Sequence, residues 1–350
     1  MLSRMTTKAL RLLPPEPAHR ATINLLKTPL APRSRLVEDA ILKTKVGTLA
    51  LPNPLGLAAG FDKNAEVPGA LLRLGFGFIE VGAVTPKPQP GNPSPRVFRL
   101  EAERAVINRY GFNNDGLAVI AERLERQHAY PGIVGINLGA NKDTEDKVQD
   151  YVTGLKRLER HVAFLTINIS SPNTAGLRDL QGKAALDDLL SRVLAARETT
   201  TPVFLKVAPD LSDKDKADIA ASAFGAGIDG LIVSNTTLSR TGLSGSHAGE
   251  AGGLSGAPLF HLSTEVLRDF ARELGGKVPL IGVGGIRSAQ DALVKIKAGA
   301  SAVQLYTALV YDGPGLVRNI LKELPSLLRA EGLASMAEAV GCATTKDLTR

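Results

Sequence analysis

The stretch Thr166-Ile167-Asn168-Ile169-Ser170-Ser171-Pro172-Asn173-Thr174 joins an apolar run to a dense polar turn. The run 164–169 reads as a buried strand. Asn168 within it needs a partner, because an unpaired buried amide costs about 1–3 kcal/mol. A strand end that faces a polar ligand supplies one. Ser171, in the turn that follows, is a candidate acid/base or nucleophile; the alternative is a turn hydroxyl before Pro172. The five histidines, His19, His128, His161, His247 and His261, fall on predicted helices or loops, which argues against a Ser-His-Asp hydrolase.

Two lysines stand out for the same reason. Lys206 lies inside Phe204-Leu205-Lys206-Val207-Ala208 and Lys63 closes Gly60-Phe61-Asp62-Lys63. An inward lysine is costly unless it meets negative charge; the alternative is a side chain that bends out to solvent. A cation beside a cofactor that gains negative charge on reduction accounts for Lys206. The amides of Asn108-Arg109-Tyr110-Gly111-Phe112-Asn113-Asn114, with Asn137, Asn168, Asn173 and Asn235, suit a ring whose edge alternates N–H and C=O. Each one alone is an ordinary turn or cap residue. Gly252-Gly253-Leu254-Ser255-Gly256 and Gly284-Gly285, followed by Tyr306 and Thr307, offer unobstructed backbone for a phosphate, or else serve tight turns. The sequence has neither GxxxxGK[ST] nor GxGxxG after a first strand, so a Rossmann site is unsupported.

The elements that must position these residues alternate. Short apolar runs at 55–59, 78–84, 133–138, 164–169, 203–207, 230–233, 280–283 and 302–305 read as strands. Helical patterns at 67–74, 117–127, 147–160, 185–197, 213–224, 264–274, 289–297 and 316–330 lie between or after them. Eight such units predict a (β/α)8 barrel, with an open doubly wound sheet as the alternative. In a barrel, chemistry belongs at the C-terminal strand ends, which is where the polar residues above gather. The proline-rich segment 86–115 reads as one long functional loop.

Residues 1–45 differ in character. The segments 6–13 and 17–27 read as short helices with apolar faces and basic flanks, packed on the barrel or lying on a membrane surface. The expected division is a helical segment 1–45, a barrel domain 46–335 and a tail 336–350. Of 350 residues, 44% are hydrophobic and 22% charged, as in a soluble globular protein, and the net charge of +7 is scattered. The single cysteine, Cys342, allows no intrachain disulfide and no metal cluster. No apolar run is long enough to span a bilayer.

Taken in order, the motifs resemble those of the class 2, quinone-dependent dihydroorotate dehydrogenases. They are Gly56-Leu57-Ala58-Ala59-Gly60-Phe61-Asp62-Lys63-Asn64, Gly82-Ala83-Val84-Thr85-Pro86-Lys87-Pro88-Gln89-Pro90-Gly91-Asn92-Pro93, Asn108-Arg109-Tyr110-Gly111-Phe112-Asn113, 168–174, Ser234-Asn235-Thr236-Thr237, Gly252-Gly253-Leu254-Ser255-Gly256 and Ile281-Gly282-Val283-Gly284-Gly285-Ile286. The match runs through nearly the whole chain. Class 1 members of the family carry cysteine at the base position, and here the only cysteine is in the tail.

The resemblance implies an FMN-binding TIM barrel that oxidises (S)-dihydroorotate to orotate in pyrimidine synthesis and passes electrons to ubiquinone or another membrane quinone. It implies no metal and no nucleic-acid partner. It places FMN against Ala59, Gly60, Phe61, Asp62, Lys63, Ala83, Asn137, Asn168, Lys206, Ser234, Gly256, Gly285, Tyr306 and Thr307. Dihydroorotate falls to Lys63, Asn108, Arg109, Tyr110, Gly111, Phe112, Asn168, Asn173, Asn235 and Thr236. Ser171 matches the family's base, which takes the C5 proton while hydride leaves C6 for the flavin. His19, Arg99 and Tyr306 match the quinone tunnel. Ala83 stands where the family often has Thr or Ser, and Ser234 where Thr is common. A monomer, peripheral on the cytoplasmic face of the cell membrane, is the implied setting. A tRNA dihydrouridine synthase is the enzyme alternative and calls for a barrel cysteine; a phosphate-sensing barrel is the other and needs neither Ser171 nor Lys206.

Overall fold

The computed structural model describes residues 2–35, 37–126, 132–174 and 176–345. His128, Gln127 at the end of the helix expected over 117–127, and residues 346–350 of the tail lie outside the described residues.

The chain enters through two helices, α1 (Leu2–Arg11) and α2 (Pro15–Leu26), and a two-stranded hairpin, β1 (Thr44–Val46) and β2 (Leu49–Leu51). Eight parallel strands then close into a barrel. They are β3 (Leu55–Leu57), β4 (Phe78–Val84), β7 (Val134–Leu138), β8 (Phe164–Asn168), β9 (Val203–Val207), β10 (Gly230–Val233), β12 (Leu280–Val283) and β13 (Ala300–Leu305), each paired with the next and β13 with β3. The doubly wound alternative is thereby excluded. Three further strands, β5 (Val97–Leu100), β6 (Ala105–Asn108) and β11 (Gly253–Gly256), form an antiparallel sheet beside the mouth of the barrel.

That sheet corrects two expectations. Segment 86–115 is not one continuous loop but carries β5 and β6, and Gly253 to Gly256 form a strand rather than a turn, with Gly256 at its cavity end. Residues 97–100 and 105–108 alternate half-buried and buried, with Phe98, Leu100, Ala105, Ile107 and Leu254 making a small core of their own. Within the segment 336–350, Met336 and Ala339 are fully buried, so this part of it packs on the barrel.

The interior of the barrel follows from a period of two. Phe78, Phe164 and Phe204 plug the lower end, with ring centroids 6.1 Å apart for Phe78–Phe164 and 5.3 Å for Phe164–Phe204. Neighbouring strands offer Gly56 and Gly135 opposite these rings, where a Cβ would fall 2.3 Å from Phe78 and 2.1 Å from Phe164. Two residues further along the same strands, and still inside, come Glu80, Thr166, Lys206 and Asn137; Gln304 follows Ala302 in the same way. One more step on β8 reaches Asn168. The aromatic floor therefore sets the height at which polar side chains appear.

Candidate active site

A continuous cavity of about 760 Å3 begins above this polar layer and extends outward between α1 and α2. Of the residues expected at the site, it is lined by Ser171, Lys63, Lys206, the three strand-end amides Asn137, Asn168 and Asn235, and Asn108, Tyr110, Gly111, Phe112, Asn173 and Thr236. Ala59, Gly60, Phe61, Ala83, Ser234, Gly256, Gly285, Tyr306 and Thr307 complete the set, and His19 and Arg99 line its outer part.

Two expected residues do not line it. Asp62 is buried with its carboxylate accepting the N–H groups of Glu66 and Val67, each at 2.8 Å, so it caps the following turn. Arg109 turns outward: it pairs with Glu250 at 2.7 Å, donates to the carbonyls of Ala251 and Pro95, and lies over the Phe98 ring.

Lys206 is 5% exposed and makes no hydrogen bond or ion pair with any described residue. An ammonium so placed is tolerated only if something electron-rich shares the cavity. Lys63 is a second cation lining the cavity, half-buried. Its Nζ lies 3.9 Å from the centroid of the Tyr110 ring, and burial pushes it down to about 8 against the pull of Glu16. A bound carboxylate would raise it again and favour the ammonium further.

The amides form one directed chain. Asn137 Nδ2 donates to Glu80 Oε1 (2.6 Å), Asn168 Nδ2 to Asn137 Oδ1 (2.8 Å), and Asn235 Nδ2 to Asn168 Oδ1 (3.3 Å). The backbone fixes the direction at one end, since the N–H groups of Ser170 and Thr236 donate to Asn168 Oδ1 and Asn235 Oδ1. Glu80, fully buried, fixes it at the other, because a carboxylate only accepts. Gln304 Nε2 donates to the second oxygen of Glu80 at 2.8 Å, leaving Gln304 Oε1 buried with no donor. Sequence reasoning misses Glu80 and Gln304, although each is a polar residue in an apolar run, the same signal that singles out Asn168.

The polarity of this chain can be tested by thermal unfolding. Glu80→Gln is expected to be tolerated, because the Gln304 amide can turn over and accept from it. Glu80→Leu strands two buried amide donors and is expected to cost about 1–3 kcal/mol for each. Equal stability of the two variants would contradict the assigned polarity.

Ser171 is 6% exposed. Its Oγ accepts the Asn173 N–H at 3.3 Å, and no described side chain accepts its proton. Asn92, a further unanticipated residue, ties this loop to the opposite wall by donating to the carbonyls of Arg109 (3.0 Å) and Asn173 (3.3 Å).

At the outer end, His19 Nε2–H donates to the Phe61 carbonyl at 2.7 Å. Burial, and then the charge of Lys63, push this imidazole down to about 4, so it is neutral at pH 7. His19, Phe61 and Tyr306 form an edge-to-face series, each step 5.5 Å between centroids. Arg99 Nη1 donates to the carbonyls of Arg11 (2.9 Å) and Leu13 (2.8 Å), closing the C-terminal end of α1.

The family model described as dihydroorotate dehydrogenase matches residues 41–328. A curated protein of Parvibaculum lavamentivorans named dihydroorotate dehydrogenase (quinone) is 56% identical over 331 residues, covering 94% of this chain and 95% of its own. One of the same name from Brucella ovis is 56% identical and covers 92% and 91%. Among solved structures, DHODH of Eimeria tenella in complex with ferulenol superposes with a TM-score of 0.90 at 40% identity, covering 93% of this chain and 95% of that one. The ligand-free type of the same enzyme gives 0.90 at 41% identity, with coverage of 94% and 99%.

Proposed function

The chain belongs to the quinone-dependent dihydroorotate dehydrogenase family, and from that premise we propose which of its residues carry each part of the reaction. It is an FMN-dependent oxidoreductase that converts dihydroorotate to orotate in de novo pyrimidine synthesis. When bound, FMN would supply the hydride acceptor for this chemistry and the route by which electrons reach a quinone. Among the described residues no group of acidic, histidine or cysteine side chains could hold a metal ion.

The observation that carries the site assignment is Lys206, a buried cation at a strand end with no partner among the described residues. The donor set around it fits FMN. Lys206, Asn137 and Asn168 would hold the ring; Gly256, Gly285, Tyr306 and Thr307 would hold the phosphate; Ala59, Gly60, Phe61, Lys63, Ala83 and Ser234 would complete the walls. Ala83 brings no hydroxyl, whereas Ser234 keeps one. Dihydroorotate sits between this layer and the loops. Lys63 and the amides of Asn108, Asn173 and Asn235 bind its carboxylate and ring edge, helped by Tyr110, Gly111, Phe112 and Thr236. Arg109 acts at a distance, by fixing the loop through Glu250. Ser171 takes the proton from substrate C5.

The outer part of the cavity belongs to the quinone, with His19, Arg99 and Tyr306 along it. Residues 1–45 form its quinone-associated segment on the barrel domain. The apolar side chains Leu12 (88% exposed) and Leu30 (81% exposed), with exposed Lys8 nearby in sequence, suit a lipid surface better than water. The proposed setting is a peripheral position on the cytoplasmic face of the membrane, as a monomer. No helix among the described residues is long and apolar enough to cross a membrane.

Deleting residues 2–27 tests this division. Flavin bleaching by dihydroorotate without oxygen is expected to survive, and turnover with a ubiquinone analogue to fall by roughly tenfold or more, since the outer wall of the cavity goes with the two helices. Equal loss of both would contradict the placement of the quinone. Faster reoxidation by NAD or fumarate than by the quinone would contradict the acceptor itself.

A further inference from the structure

The helix Ala289–Lys297, which follows β12, carries a cation on its buried side. Lys295 is fully buried. Its Nζ donates to Ser263 Oγ (2.8 Å) and Thr264 Oγ1 (3.0 Å) and lies 5.2 Å from the centroid of the Phe260 ring. It forms no ion pair with a described carboxylate. Two neutral hydroxyls do not repay the desolvation of an ammonium, and a methionine of similar length would fill the space at less cost.

The hydrogen-bond polarity shows what the lysine does. An ammonium only donates, so Ser263 Oγ must accept from it, and the serine proton is left to go elsewhere. Ser263 Oγ lies 3.2 Å from the carbonyls of both Phe260, one turn back on its own helix, and Gly284; donation to Gly284 holds that carbonyl toward Ser263. In a trans peptide the next N–H points the opposite way. Gly284 and Gly285 line the cavity and Ser263 does not, so the Gly285 N–H is presented to the cavity side. It makes no hydrogen bond with a described residue.

We propose that Lys295 is a positioning residue for the phosphate of the cofactor, acting through Ser263 on the Gly284–Gly285 turn. Without the lysine, Ser263 is free to rotate, and the Gly284 carbonyl can swing toward the phosphate and repel it. The ammonium adds positive charge behind the turn, where low dielectric preserves its reach. Burial pushes Lys295 down to about 7, with Asp291 pulling the other way; an anion across the turn favours its charged form. The inference rests on the reading that the phosphate occupies this turn.

Riboflavin lacks only the phosphate, so it separates this role from packing. The full-length flavin-free chain is titrated with FMN and with riboflavin, by quenching of flavin fluorescence, in wild type, Lys295→Met and Ser263→Ala. Wild type is expected to prefer FMN. Lys295→Met is expected to lose roughly tenfold or more in FMN affinity and Ser263→Ala several-fold, with riboflavin affinity unchanged in both. An unaltered FMN-to-riboflavin ratio in the variants, or equal weakening of both flavins, overturns the proposal. Equal affinity of wild type for the two flavins would instead remove the phosphate site itself, and the role of Lys295 with it. Should Lys295→Met not fold, the Ser263→Ala ratio decides alone.

Discussion

Ser171→Ala is expected to keep its flavin and to be reduced by dihydroorotate about 10²- to 10⁴-fold more slowly than wild type, the usual worth of a positioned general base. That magnitude follows from where the hydroxyl sits. Its Oγ is held by the Asn173 N–H at 3.3 Å on a loop fastened to the opposite wall through Asn92, so its position is set before substrate arrives. No described histidine or carboxylate contacts it. A serine hydroxyl is a weak base at neutral pH, and its reactivity must come from orientation against an activated C–H bond and from an unpaired proton that can be handed on. Rapid-mixing absorbance in the absence of oxygen measures the effect. Ser171→Cys is expected to retain more activity than Ser171→Ala, because a thiol ionises far more readily than a hydroxyl. Unimpaired reduction in Ser171→Ala would remove the base assignment and leave the rest standing.

Lys206→Met carries the second large effect, with opposite signs for function and stability. The side chain is 5% exposed at the top of β9 and has no partner among the described residues. Replacing an unpaired buried ammonium by an apolar chain of similar length removes a desolvation penalty, so the flavin-free variant is expected to unfold at a temperature equal to or above wild type. The same change removes the buried cation that faces the ring as it gains negative charge. Loss of a preorganised electrostatic group costs about 10²- to 10³-fold in rate. The variant is therefore expected to reduce its flavin slowly, at a lowered reduction potential. A fall in stability with unchanged potential would show that Lys206 serves packing instead.

Much of this arrangement is legible in the amino-acid sequence. Strand and helix positions follow from apolar periodicity, and six of the eight barrel strands run over the residues expected, within one residue at either end. The Asn168–Ser171 stretch is informative because a buried strand tolerates an amide only for a reason. The same rule applied to Glu80 and Gln304 finds the base of the amide chain, and applied to a helix it finds Lys295. What the sequence hides is side-chain direction and long-range partnership. Asp62 and Arg109 occupy motif positions beside true cavity residues. Yet one turns back to cap the next turn and the other reaches Glu250, 141 residues away. The mouth sheet is hidden for another reason: β11 pairs with β6 from the other half of the chain, and the prolines around β5 mask its alternation.

The most direct test is the visible spectrum of the purified protein through one full cycle. In the absence of oxygen, dihydroorotate is predicted to bleach the flavin absorbance, and a ubiquinone analogue added afterwards is predicted to restore it. Flavin that stays oxidised when dihydroorotate is added, or protein with no affinity for FMN, would contradict the assignment.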